Sequence, residues 1–228
     1  VTNSKKPTIK YVIFDLDGTI VDTELTAARV VQQVFFEWKI ELDPNDATFI
    51  TGRKWESAFE FLFRKYPIPI EYEDAKNLCM DRYRQALQEH LPIVPGSVDA
   101  IKQLAKHFPL ALVSGSGRQE ILWALTKLQV QTYFQIILGA EDYQRSKPHP
   151  DGYQKAMKLL QADPQSCLVF EDSNAGITSA LDAGMWVVAI TSTNHFQQKL
   201  AGAHFEIHDL SGITEKWIEQ LPFNGNRH

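Results

Sequence analysis

The segment Ile9-Lys10-Tyr11-Val12-Ile13-Phe14-Asp15-Leu16-Asp17-Gly18-Thr19 decides how the rest of the chain is read. Its first half is rich in β-branched and aromatic residues, the composition of a strand, and Ile9–Leu16 is read as one. Side chains alternate along a strand, so Asp15 and Asp17 share one side while Leu16 faces the other. Gly18 lets the chain turn sharply after them. Paired carboxylates at the carboxyl end of a parallel strand lie where open α/β sheets bind ligands. Read alone, the segment also fits a turn in which the aspartates only bond backbone amides.

Working outward, further apolar strands are expected at Leu110–Val113, Ile136–Leu138, Leu168–Phe170 and Trp186–Ile190, separated by helical stretches. Near-continuous apolar strands alternating with helices imply a parallel sheet covered on both faces, the doubly wound α/β class. Thr23 to about Pro92 departs from this alternation. Ala27, Val30, Val31, Val34 and Phe35, then Ala58, Phe59, Leu62 and Phe63, repeat with helical period and leave no convincing strand. Roughly 70 residues of helix are too many for a crossover, which needs about a dozen. The expected organisation is a core domain of residues 1–22 and 93–228 with a small all-helical cap domain, residues 23–92, inserted after the first strand. The hinges are expected at Val21–Glu24 and Leu91–Gly96, where prolines and a glycine punctuate the chain.

Composition narrows the function. The 228 residues are 44% hydrophobic and 22% charged, a globular balance, and the net charge of −5 argues against a surface that grips a nucleic-acid backbone. Cys79 and Cys167 are not at metal-ligand spacing and are read as buried thiols. No apolar run is long enough to span a membrane, and Val1–Lys10 lacks the apolar core of a signal peptide, so a cytoplasmic protein is expected. The head Val1–Pro7 and the tail Pro222–His228 read as poorly ordered ends.

Three later segments carry chemistry. Leu112-Val113-Ser114-Gly115-Ser116-Gly117 places Ser114 at the end of the second strand, with glycine beside it where a backbone can approach an anion. Ser114 fits equally the cap of a helix starting near Arg118, and the two readings are compatible. Arg145-Ser146-Lys147-Pro148-His149-Pro150-Asp151 holds Lys147 in a loop stiffened by prolines, although a lone loop lysine is commonly just solvated. His149 is read as structural. Val169-Phe170-Glu171-Asp172-Ser173-Asn174-Ala175-Gly176 ends a strand on two acids, which also suit the start of the following helix.

Taken in order, these segments resemble the four motifs of the haloacid dehalogenase superfamily: Asp-x-Asp-Gly-Thr at Asp15 to Thr19, a serine at Ser114, a lysine at Lys147 and an acidic pair at Glu171 and Asp172. The resemblance runs from about Ile9 to Ile190. It implies a nucleophile at Asp15, a general acid and base at Asp17, and phosphoryl-oxygen contacts from Ser114, Gly115 and Lys147. It also implies a metal held by Asp15, Asp17, Glu171 and Asp172. Four acids in one cleft require a cation, and an all-oxygen ligand set suits Mg²⁺. The expected activity is that of a phosphatase acting on a small phosphorylated metabolite, a sugar phosphate above all, as a monomer or weak dimer with no nucleic acid or membrane partner.

The resemblance also bears on the rivals. An acid at position 17 is absent from the dehalogenases and phosphonoacetaldehyde hydrolases of the superfamily. Phosphomutases like β-phosphoglucomutase share the nucleophile, but have a histidine where this chain has Ala27 and a cap arginine where it has Trp55. A catalytically silent binding protein would have little reason to keep every one of these side chains. In the cap, Thr51-Gly52-Arg53-Lys54-Trp55 resembles the specificity loop of sugar-phosphate enzymes. Arg53 and Lys54 are candidate substrate contacts there, against the alternative of a solvent-facing basic pair. Trp55 suits either a sugar face or a helical core.

Overall fold

Tyr11–Phe14 forms the first strand, β1, of a computed structural model that describes residues 7–49, 55–195 and 199–223. It is shorter than Ile9–Leu16, because the Leu16 carbonyl turns out of the sheet and accepts the N–H groups of Thr19, Ile20 and Val21. The chain divides into two compact units, Asp22–Pro92 and the remainder, Val1–Val21 with Ile93–His228.

The Asp22–Pro92 unit contains α1 (Glu24–Glu37), α2 (Pro44–Phe49), α3 (Trp55–Lys65) and α4 (Tyr72–Glu89). Its interior joins Val31, Val34 and Phe35 of α1 to Ala58, Phe59 and Leu62 of α3 and to Ala75 and Cys79 of α4. These residues recur every three or four positions and so fall on one face of each helix. Trp55 packs inside the same unit, its ring 6.0 Å from Phe59 and 5.5 Å from Tyr83. A second anchor is polar. Asp46, 6% exposed, pairs with Lys65 at 2.6 Å and accepts the hydroxyl of Tyr66.

The second unit continues with α5 (Ser97–Leu104), β2 (Leu110–Val113), α6 (Arg118–Lys127), β3 (Phe134–Leu138), α7 (Asp151–Leu160), β4 (Cys167–Glu171), α8 (Asn174–Asp182), β5 (Trp186–Ile190), β6 (Phe205–Ile207) and α9 (Glu215–Gln220). The strands are all parallel in the order β3-β2-β1-β4-β5-β6. β6 was not legible in the sequence, being three residues long and only partly buried. In β1, β2, β4 and β5 almost every residue is buried, as a sheet covered on both faces requires. Phe14 stacks on Phe170 with centroids 5.1 Å apart, locking β1 to β4.

Strand order reverses at β1, between β2 on one side and β4 on the other. Such a switch point opens a crevice beyond the carboxyl ends of the strands. Phe14 pairs with both Leu112 and Phe170, so β1, β2 and β4 end level, and the residues just past those pairs are Asp15, Val113 and Glu171.

Candidate active site

Asp15 leaves β1 buried, 6% exposed, with its N–H still bonded to the Phe170 carbonyl at 3.1 Å. Its carboxylate meets Lys147, whose Nζ lies 2.5 Å from Asp15 Oδ1, 2.5 Å from Glu171 Oε1 and 3.1 Å from the Val113 carbonyl. The lysine comes from the loop before α7, and its neighbours clamp that loop. Arg145 grips Asp151 through Nε at 3.1 Å and a second guanidinium nitrogen at 3.0 Å, and Ser179 donates to the His149 carbonyl at 2.7 Å. His149 is therefore held through its backbone, and its ring lies 2.9 Å from Asp151.

Glu171, the last residue of β4, is fully buried. Its Oε1 accepts from Lys147 and from the Tyr153 hydroxyl at 2.8 Å. Its Oε2 accepts the N–H groups of Asp172 and Ser173 and the Ser173 hydroxyl. Space for this carboxylate exists because residue 176 is glycine: a Cβ there would fall 1.8 Å from Oε1.

Asp172 is buried beside Thr19, whose hydroxyl donates to it at 3.4 Å. Asp15, Glu171 and Asp172 each offer an oxygen within 4.8 Å of the others. Burial lifts the Asp15 carboxyl well above the ordinary carboxylate range; the Lys147 ammonium opposes this, and Glu171 and Asp17 reinforce it. For Lys147, burial disfavours the charge, but Asp15 and Glu171 overcome it and hold the ammonium well above the usual lysine range. One ammonium against three carboxylates leaves excess negative charge in a buried site. Hard oxygen donors in that arrangement fit a divalent cation.

Asp17 is not one of those three; its Oδ2 accepts the hydroxyl of Ser116 at 2.5 Å. Ser114 is 1% exposed, with its N–H bonded to the Leu138 carbonyl at 3.0 Å. The hydroxyl of Ser114 accepts the N–H of Ser116 and does not cap the helix, because α6 starts only at Arg118 with Gly117 as its cap residue. The start of α6 is also less open to an anion than the sequence suggests, since Glu141 already takes the Arg118 N–H at 3.1 Å. Gly115 is exposed, and a Cβ on it would meet nothing within 4 Å. Arg53 and Lys54 lie outside the described residues.

Two residues on the cluster escaped the sequence reading. Tyr153 looks like an ordinary core residue of α7, sharing a face with Ala156. Ser116 stood in view, two places beyond Ser114, without a local sign of its partner.

The family model for haloacid dehalogenase-like hydrolases matches residues 12–190. Validoxylamine A 7'-phosphate phosphatase of Streptomyces hygroscopicus is 29% identical over 208 residues, spanning 90% of this chain and 95% of that protein. The 6-phosphogluconate phosphatase of Escherichia coli is 25% identical over 211 residues, spanning 92% and 95%. The solved structure of β-phosphoglucomutase from Clostridium difficile superposes with a TM-score of 0.71 at 24% identity, covering 93% of this chain and 96% of that one, which is a likeness of fold. Among the described residues no helix is long and apolar enough to cross a membrane. A match over 12–190 runs from the second residue of β1 to the end of β5 and takes in all the side chains gathered above, and on that extent the chain belongs to the haloacid dehalogenase-like hydrolases.

Proposed function

We propose that the protein is a phosphatase that removes the phosphate of a small phosphorylated metabolite, a sugar phosphate, with Asp15 as nucleophile. The observation that carries this reading is the Asp15 carboxylate, buried at the end of the central strand, 2.5 Å from Lys147 and beside Glu171 and Asp172. Relatives named as phosphatases of 6-phosphogluconate and of validoxylamine A 7'-phosphate support the substrate class.

Asp15 attacks phosphorus in line and forms an aspartyl-phosphate while the ester P–O bond breaks. Lys147 and Ser114 face the charge on the transferring oxygens. Asp17 protonates the departing alcohol, then takes a proton from the water that hydrolyses the aspartyl-phosphate and frees Asp15. The carboxylates of Asp15 and Asp172 and the carbonyl of Asp17 would hold Mg²⁺, which would supply the remaining charge neutralisation. Glu171, which accepts from Lys147, Tyr153, Asp172 and Ser173, would join them directly or through water. Arg53 and Lys54 act in substrate choice. The protein works on diffusible metabolites in the cytoplasm as a monomer or weak dimer, and its net charge of −5 supports the absence of a nucleic-acid partner.

The test is phosphate release from a panel of phosphorylated sugars, polyols and nucleotides, with Mg²⁺ and with a chelator. Mg²⁺-dependent release from hexose or pentose phosphates, abolished in Asp15→Asn, supports the proposal. Conversion of glucose 1-phosphate to glucose 6-phosphate without release would make the enzyme a mutase. Unchanged hydrolysis in Asp15→Asn would refute the nucleophile.

A further inference from the structure

The 2.5 Å hydrogen bond from the Ser116 hydroxyl to Asp17 Oδ2 joins residues 99 positions apart, and main-chain contacts hold both of its ends. The N–H of Ser116 donates to Ser114 Oγ at 3.0 Å, and its carbonyl accepts the Ala140 N–H at 3.0 Å. Next to Asp17, the Gly18 N–H donates to the Val21 carbonyl at 2.6 Å, and the Gly18 carbonyl accepts the buried Thr193 hydroxyl at 2.7 Å. The bond therefore joins two fixed loops.

A carboxyl group that gives up a proton must present one oxygen to the leaving group. The terminal torsion of an aspartate is broad and two-fold, so nothing intrinsic to the side chain selects that oxygen. A hydroxyl anchored on Oδ2 does. We propose that Ser116 is a positioning residue for leaving-group protonation: by holding Oδ2 of Asp17 it fixes the rotation of the carboxyl that serves the bridging ester oxygen.

The proposal rests on the phosphatase reading with Asp17 as acid. As the bond from Asp15 to phosphorus forms, the ester P–O bond breaks, and its electron pair stays on the ester oxygen. That oxygen takes the proton from the Asp17 carboxyl. The carboxylate left behind keeps a charge-assisted bond from Ser116.

The experiment compares two leaving groups. An alkyl alcohol needs a proton to depart, whereas 4-nitrophenolate leaves without one. Because kcat/KM covers only the steps through the first irreversible one, hydrolysis of the aspartyl-phosphate does not enter it. Measured with Mg²⁺ on the best hexose phosphate of the panel and on 4-nitrophenyl phosphate, Ser116→Ala should lower kcat/KM by about tenfold or more for the sugar ester. That is part of the 10²–10⁴ that general acid catalysis contributes. For the nitrophenyl ester it should fall by less than about twofold. Ser116→Thr, which keeps the hydroxyl, should restore the sugar ester, and Asp17→Ala should show the same split on a larger scale. Equal losses on both esters, or no loss on either, would overturn the positioning role while leaving the phosphatase reading intact. If Asp17→Ala itself treats the two esters alike, the acid assignment fails, and the role of Ser116 fails with it.

Discussion

A Cβ on Gly18 would lie 1.9 Å from Oδ2 of Asp172, so the turn after the first strand and the acid after the fourth compete for one volume. Gly18 also has φ +81°, a conformation that costs an L residue about 1–2 kcal/mol. Gly18→Ala should therefore displace Asp172 and lower kcat by about 10²-fold, the scale of a 1 Å misplacement at a reacting centre. Gly212 is the control: its φ is +76°, and a Cβ on it would meet nothing within 4 Å. Gly212→Ala should lose stability on urea unfolding but keep its turnover. Equal kinetic losses in the two variants would show that backbone strain, not the contact with Asp172, limits position 18.

Lys147 is the one ammonium that Asp15 and Glu171 share among the described residues. Removing one partner of a buried ion pair costs about 3–5 kcal/mol, because the remaining charge stays uncompensated. Lys147→Met should show a loss of that order on urea unfolding in a chelator, and a smaller one in Mg²⁺, which restores positive charge among the acids. A loss unaffected by Mg²⁺ would count against cation binding at Asp15 and Asp172.

In the helical unit, pH should act through Asp46. The Lys65 and Tyr66 hydrogen bonds hold its carboxyl below the ordinary value of 3.8. A depressed folded value means that the unfolded chain takes up the proton first as pH falls. The stabilisation is then complete above the ordinary value and is lost as pH drops through the folded one. Urea unfolding between pH 7 and pH 3 should show a steeper loss for the native chain than for Asp46→Asn. Parallel curves would refute it.

Both cysteines should be inert in the folded protein. Burial pushes the Cys79 thiol up to about 12 and the Cys167 thiol up to about 11, and each side chain is inaccessible. The thiolate is the reactive form, so at pH 8 a thiol reagent should label neither until urea unfolds the chain, and then both. Fast labelling of the native protein at one thiol would show that its unit opens locally.

The positions of the site side chains were legible in the sequence because strand and loop ends are local signals: Asp15, Asp17 and Gly18 close an apolar strand, and Lys147, Glu171 and Asp172 follow signals of the same range. Each segment read alone also fitted a turn, a solvated loop or a helix cap, and only their order along the chain, as the resemblance to the superfamily's motifs, joined them into one site. The apolar runs of β2, β4 and β5 give the parallel sheet for the same reason: a strand buried on both faces has few polar positions. The helical period of Val31, Val34 and Phe35 likewise gives the inserted unit. Tertiary structure alone decided which distant residues share an oxygen atom. Ser116 reaches Asp17 across 99 positions, and Thr193 reaches the Gly18 carbonyl across 175. Tyr153 bonds Glu171 only because α7 packs on the sheet, its Tyr153 and Ala156 sharing one apolar cluster with Val113 of β2 and Val169 of β4. Sequence period fixes which face of an element is buried, but a single hydroxyl finds its acceptor only after strand order and register bring two loops within about 3 Å.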